Sequence, residues 1–206
     1  MKRVERVIAY VDGHNLYHGL RARRWKWFYW LDIQAMVGHL LKPNQVLKTT
    51  KYFTTRVKKP EDKRKRQEVF LEALETLSNF EIYYGRFLAD TVRCHKCGHT
   101  YETHHEKMTD VNIAVELMSD VFRDRFDVAL LVSGDGDLVG PVEAVRRLFV
   151  DKRVVVAFPP RRVSKALKRT ANASTHISRK VLSSSVFPGE IVKPDGRILR
   201  RPSEWR

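Results

Sequence analysis

Residues 127–132, DVALLV, are apolar almost without interruption and run directly into SGDGD at 133–137. A strand with one wet face alternates apolar and polar side chains. A run that is apolar at both parities belongs instead to a strand covered on both faces, the position of a central strand in a parallel sheet between helices. RVIAYV at 6–11 has the same character and stops at Asp12-Gly13. Parallel neighbours need long crossover connections, usually helical, and the rest of the chain must supply them.

It does so in alternation. Leu31, Met36 or Val37, and Leu40 recur at helical spacing over 30–41, with Pro43 and Asn44 ending the pattern. Residues 47–57 are rich in β-branched and aromatic types and predict a second strand. Pro60 and Glu61 open a helix with Val69, Ala73, Leu74 and Leu77 on one face, and 80–88 predicts a third strand. Over 109–124, Thr109 is the expected cap, and Val111, Ala114 or Val115, Met118 and Phe122 the expected apolar face. A helix at 140–149, a strand at 153–158, a short helix at 163–171 and a small strand at 174–178 complete the series. This alternation predicts an α/β fold with a mostly parallel sheet. The expected organisation is a main domain over 1–180, a Cys/His-containing insertion near 92–106, and a basic extension over 181–206 with a hairpin turning at Asp195-Gly196.

The 206 residues include 39 Lys and Arg against 24 Asp and Glu, a formal net charge of +15. Such a charge collects polyanions, of which nucleic acid is the commonest. No apolar run is long enough for a membrane span. The first fifteen residues meet Asp12, His14 and Asn15 before any signal-type core, so the reading is a cytoplasmic protein that opens on a buried strand.

Against this basic background four acids share one expected location. In parallel α/β sheets ligands sit beyond the carboxyl ends of the strands. Asp12 follows the first strand, Asp135 and Asp137 follow DVALLV, and Asp110 opens a helix whose N-terminus faces the same edge. Four converging carboxylates repel one another unless a hard cation compensates, and an all-oxygen set suits Mg²⁺ or Mn²⁺. Asn15 is placed to hydrogen-bond an acid or a phosphate, and Ser133 to orient Asp135 or a metal-bound water. Gly134 and Gly136 permit close backbone approach or positive φ. Asp120, Asp124, Asp127 and Asp151 are expected near surface helix ends or turns, in structural roles.

YVDGHNLYHG, EKMTDVNIAVELM and ALLVSGDGDLVGPVEAV, in that order, resemble the signature segments of the NYN domain (LabA-like), within the PIN-like nuclease superfamily. The resemblance covers about residues 5 to 178. It implies a Rossmann-like three-layer α/β/α PIN-like core and, for active members, metal-dependent endoribonuclease chemistry leaving 5′-phosphate and 3′-hydroxyl ends. It places metal-site and catalytic roles on Asp12, Asp110, Asp135 and Asp137, with Asn15 and Ser133 in support. RNA is the expected partner and DNA the alternative. A catalytically weak RNA- or partner-binding protein is the competing function.

Two further stretches stand apart. Cys94 and Cys97 lie near His99 and His104, a set that completes a tetrahedral structural Zn²⁺ site; a polar loop with free thiols is the alternative. Arg21, Arg23, Arg24 and Lys26 interleave with Trp25 and Trp27, a pattern for stacking bases and holding phosphates, or for a core edge or subunit interface with a second copy of the chain. Arg161, Arg162, Lys165 and Lys168 form a second basic stretch, an expected phosphate-binding rim.

Overall fold

A computed structural model describes residues 3–93 and 96–206, with the backbone alone described for 86–93 and 101–107. The sheet begins with β1 (Glu5–Asp12), flanked by β2 (Gln45–Thr54) and β6 (Val128–Val132). Beyond β2 lies β3 (Phe80–Tyr84); beyond β6 lie β7 (Arg153–Phe158) and β8 (Ala173–His176). All five pairings are parallel. The order β3-β2-β1-β6-β7-β8 reverses direction between β1 and β6, the doubly wound arrangement whose ligands bind at that switch point. β6 is buried along its whole length, as its unbroken apolar run requires.

Successive residues of β1 point to opposite faces and thereby divide the core. Val7, Ala9 and Val11 join the cluster formed with α1 (Gly13–Ala22), α2 (Ile33–Gly38) and α3 (Glu61–Leu74). Ile8 and Tyr10 join the cluster formed with α4 (Thr109–Phe122), α5 (Val139–Leu148) and α6 (Lys165–Thr170). The result is the three-layer α/β/α fold.

Several elements depart from their sequence reading. Residues 13–22 form a helix that the reading lacked; Asp12 caps it, and Leu16 and Leu20, one turn apart, bury its inner face. The strand expected over 80–88 ends at Tyr84, and β4 (Arg86–Arg93) pairs instead with β5 (Thr100–Lys107) in an antiparallel hairpin outside the main sheet. Thr109 does not cap α4. That place is taken by Met108, in the left-handed region at φ 79°, and Thr109 is the first, buried helical residue.

The apolar face of α4 also differs. Ile113, Leu117 and Val121 are buried, while Val111, Val115 and Phe122 are more than half exposed. Asp120 lies on the buried face with no exposure, not at the surface. Its Oδ2 stands 2.6 Å from Nζ of Lys51 and accepts from the Tyr10 hydroxyl at 2.7 Å. Lys51 Nζ also meets Glu116 at 2.6 Å, and Arg125 reaches Asp120 Oδ1 at 3.2 Å. Burial, reinforced by the Asp120 charge, pushes the Tyr10 phenol well above its ordinary pKa. This network locks α4 onto β1 and β2.

The region after residue 178 is packed into the domain. Leu182 of α7 (Arg179–Ser183), Phe187 and Leu199 are buried in the first cluster, and Trp30 Nε1 donates to the carbonyl of Pro188 at 2.7 Å. The expected hairpin is present as β9 (Glu190–Val192) and β10 (Ile198–Arg200), with Gly196 at φ 82° in the turn.

At the far end of the sheet, Asp127 accepts from the Arg6 backbone at 2.8 Å and from its guanidinium at 3.2 and 3.1 Å. The side-chain bond to Arg6 is the main reason its carboxyl is held down at about 2, below the ordinary 3.8. A depressed folded-state pKa stabilises the fold above the unfolded value and loses that effect as pH falls through the folded one. Asp127→Asn should therefore cost roughly 2 kcal/mol at pH 7, and the difference from wild type should shrink below pH 4 and vanish near pH 2, read by urea unfolding across that range. In the same assay Asp120→Ala should cost about 3 kcal/mol, because it strips a buried ammonium of one partner. Lys51→Met combined with Asp120→Leu should recover more than half of that loss.

Candidate active site

The site starts from the position of Asp12 in the backbone. It is the last residue of β1 and the cap of α1, and only 3 % of it is exposed. Oδ1 accepts from the Asn15 backbone N–H at 2.8 Å, which satisfies one of the open donors of the helix. Oδ2 accepts from the hydroxyl of fully buried Ser133 at 2.9 Å. Ser133 in turn accepts from the Asp135 backbone N–H at 3.1 Å. The hydroxyl thus orients Asp12 and pins the loop of Asp135, rather than holding the Asp135 carboxylate as its sequence position suggested. Asn15 completes the tie, its side-chain oxygen accepting from Gly134 N–H at 3.0 Å.

Gly134 is required by close packing. A Cβ there would stand 2.6 Å from the backbone of Arg162, so only glycine lets the 133–137 loop lie against that segment. Gly136 has no such neighbour, and neither glycine adopts positive φ. A Cβ on Gly19 of α1 would likewise stand 2.6 Å from the carbonyl oxygen of Pro160. The two contacts seat residues 159–162 between α1 and the acidic loop. Asp135 is partly exposed, and its Oδ1 accepts from the backbone N–H of exposed Asp137 at 3.1 Å.

These residues line a cavity of about 690 Å³ at the switch point. Asp12, Asp110, Asp135 and Asp137 all open onto it, together with Asn15 and Arg162. Ser133 stands behind Asp12. Two residues that the sequence reading did not assign to the site also line it: His14 and His18, one turn apart on α1 with ring centroids 4.5 Å apart. Recognising the helix would have found them, since their i, i+4 spacing puts both on one face.

The donor chemistry fits a hard divalent cation: four carboxylates, with no thiolate, at one cavity. Among the described residues, however, no three acids, histidines or cysteines form a group that could hold a metal ion by themselves. Mg²⁺ is ordinarily held by one or two carboxylates, several waters and substrate phosphates, a shared arrangement that this open cavity suits.

The basic residues divide. Arg162 lines the acidic cavity; Arg161, Lys165 and Lys168 are exposed nearby in sequence but do not line it. Arg24, Trp25, Lys26 and Trp27 line a separate cavity, with Arg21 and Arg23 exposed beside them. Of the expected zinc ligands, Cys94 lies outside the described residues, Cys97 and His99 are exposed in the turn of the β4–β5 hairpin, and His104 pairs in register with Ala89. No helix among the described residues is long and apolar enough to cross a membrane.

The comparisons with known proteins agree with this architecture. A crystal structure of a protein of unknown function from Vibrio parahaemolyticus is similar, with a TM-score of 0.60 and 20 % identity, covering 91 % of this chain and 99 % of that one. At that identity the likeness is one of fold. The comparison with curated proteins gave no match. A family model described as NYN domain matches residues 6–178, from within β1 to just past the end of β8 and through every acid of the cavity. With the switch-point cavity and the sheet order, this match establishes that the chain belongs to the NYN domain family.

Proposed function

We propose that the chain is a metal-dependent endoribonuclease that hydrolyses RNA phosphodiester bonds at the acidic cavity. The observation that carries this reading is the shared cavity of Asp12, Asp110, Asp135 and Asp137, drawn from three distant segments to the edge where doubly wound folds bind ligands. Asp12 and Asp135 would hold Mg²⁺ or Mn²⁺ directly, with Asp110 and Asp137 binding directly or through water. Such an ion supplies a polarised phosphate and a bound water of lowered pKa. The protein's own part is orientation. Ser133 and the Asn15 N–H fix Asp12 through both of its oxygens, and Arg162 offers a cation for a phosphate at the cavity wall.

A second reading is an RNA-binding protein of the same fold that cuts slowly. It is favoured by the spread of the carboxylates, no three of which form a metal-holding group among the described residues.

Wild type, Asp12→Asn and Asp135→Asn should be compared on single-stranded RNA, duplex RNA and DNA, with Mg²⁺, Mn²⁺ or chelator. The expected result is metal-dependent cleavage of RNA that each substitution lowers by about a thousandfold or more, with binding largely kept. Equal cutting by the variants, or in excess chelator, would refute the acidic-site reading; metal-dependent cutting of DNA alone would move the substrate to DNA. Ser133→Ala should lower cleavage by roughly ten- to a hundredfold, as loss of a ligand-orienting group does, and move the melting temperature by only a few degrees.

A further inference from the structure

A second cavity, of about 340 Å³, lies at the end of α1 remote from the acids. Arg24, Lys26, Arg179 and Arg206 line it, and no acidic residue does. Among the described residues none of these four cations has an acidic side chain within 4.0 Å. Like charges gathered around one hollow repel one another, and a bound anion relieves that repulsion.

The rings in this wall are prepared for stacking. Phe28 and Trp30 of the aromatic run are buried, which fixes the backbone between them and the surface. Trp25 packs edge-on against Phe28, with the guanidinium groups of Arg23 and Arg179 at 5.6 and 5.9 Å from its ring centre. Arg201 lies 3.7 Å from the ring centre of Trp27, yet 46 % of Trp27 stays exposed. An indole backed by a cation and open to solvent suits a nucleobase, whose face stacks without regard to sequence.

Rings also continue between the two cavities. His14 and His18 of the acidic cavity are followed by Tyr17, 5.5 Å from His18, and then by Tyr29, 5.0 Å from Tyr17. Tyr29 adjoins Phe28, which lines the second cavity. The ten residues of α1 rise about 15 Å, the length of about four or five stacked nucleotides.

We propose that the cavity at Trp27 is an anchor for single-stranded nucleic acid, with one base on the Trp27 ring and neighbouring phosphates on Arg24, Lys26 and Arg179, several nucleotides from the acidic cavity. Unpaired bases are required because a base inside a duplex has no free face to offer. This inference rests on the nucleic-acid side of the proposed function, and not on cleavage.

The test reads binding of the full chain in chelator, by fluorescence anisotropy, to labelled oligouridylates from about 2 to about 12 nucleotides long. Wild-type affinity should climb with length until a strand spans both cavities. Trp27→Ala should weaken the long strands about tenfold, the effect of one lost stacking contact. Lys26→Glu combined with Arg179→Glu should lower the slope of log affinity against log salt by about 1.4. All three positions lie at or near the surface, and circular dichroism should show the wild-type fold. Wild-type-like binding of long strands by both variants would overturn the proposal, as would wild type binding a duplex as tightly as a single strand. Loss of binding in these variants, in a protein that cuts nothing, would leave the anchor standing and remove the nuclease reading.

Discussion

The buried carboxylate of Asp12 is the constraint on which the other features of the cavity depend. A nearly inaccessible anion is tolerated only where hydrogen bonds replace its water, and here each oxygen receives one: the start of α1 on one side, the Ser133 hydroxyl on the other. Those donors belong to the two connections that diverge at the switch point. Satisfying Asp12 therefore sets where α1 begins and where the loop after β6 turns. The bond from Gly134 to Asn15 closes the same circuit from the opposite direction. Asp135 and Asp137 are displayed by a loop that this circuit holds in place.

Charge is partitioned to match. The excess of Lys and Arg lies on exposed surface, while the acidic cavity receives Arg162 from the expected basic rim. Long-range attraction for a polyanion belongs to the whole surface, and short-range contact at the cavity to a few oriented groups. The two can coexist because Asp12 is recessed at a sheet edge while the cations stand on the surface. Screening by salt weakens the first far more than the second.

Much of this is legible in the sequence, and the exceptions have physical causes. β1 and β6 announce themselves because a strand covered on both faces has no freedom to be polar. The four acids stand out because three come directly after such strands and the fourth opens the helix that leads into β6. The inner face of α4 is easily mistaken because the helix carries two apolar stripes at equivalent spacing. The stripe that faces inward, Ile113, Leu117 and Val121, runs beside Asp120, whose charge makes that side look wet. Its partners, Lys51 and Tyr10 on other elements, explain a charge there, and such pairings are invisible to periodicity. α1 escapes notice for a related reason. Its glycines and histidines resemble a loop, and its cap, Asp12, reads first as an acid of the candidate site.

The Ser133–Asp12 bond also bears on how the protein comes into being. It joins residues 121 positions apart, and α4, with Asp110, is made between them. A chain being synthesised from its N-terminus has β1 and its aspartate early, but the hydroxyl that seats that aspartate arrives only with the end of β6. Closing a contact of such sequence separation is among the slower events of folding. The seat of Asp12 therefore depends on β1 and β6 meeting at the middle of the sheet, and the Arg162 wall of the cavity on the segment that follows β7.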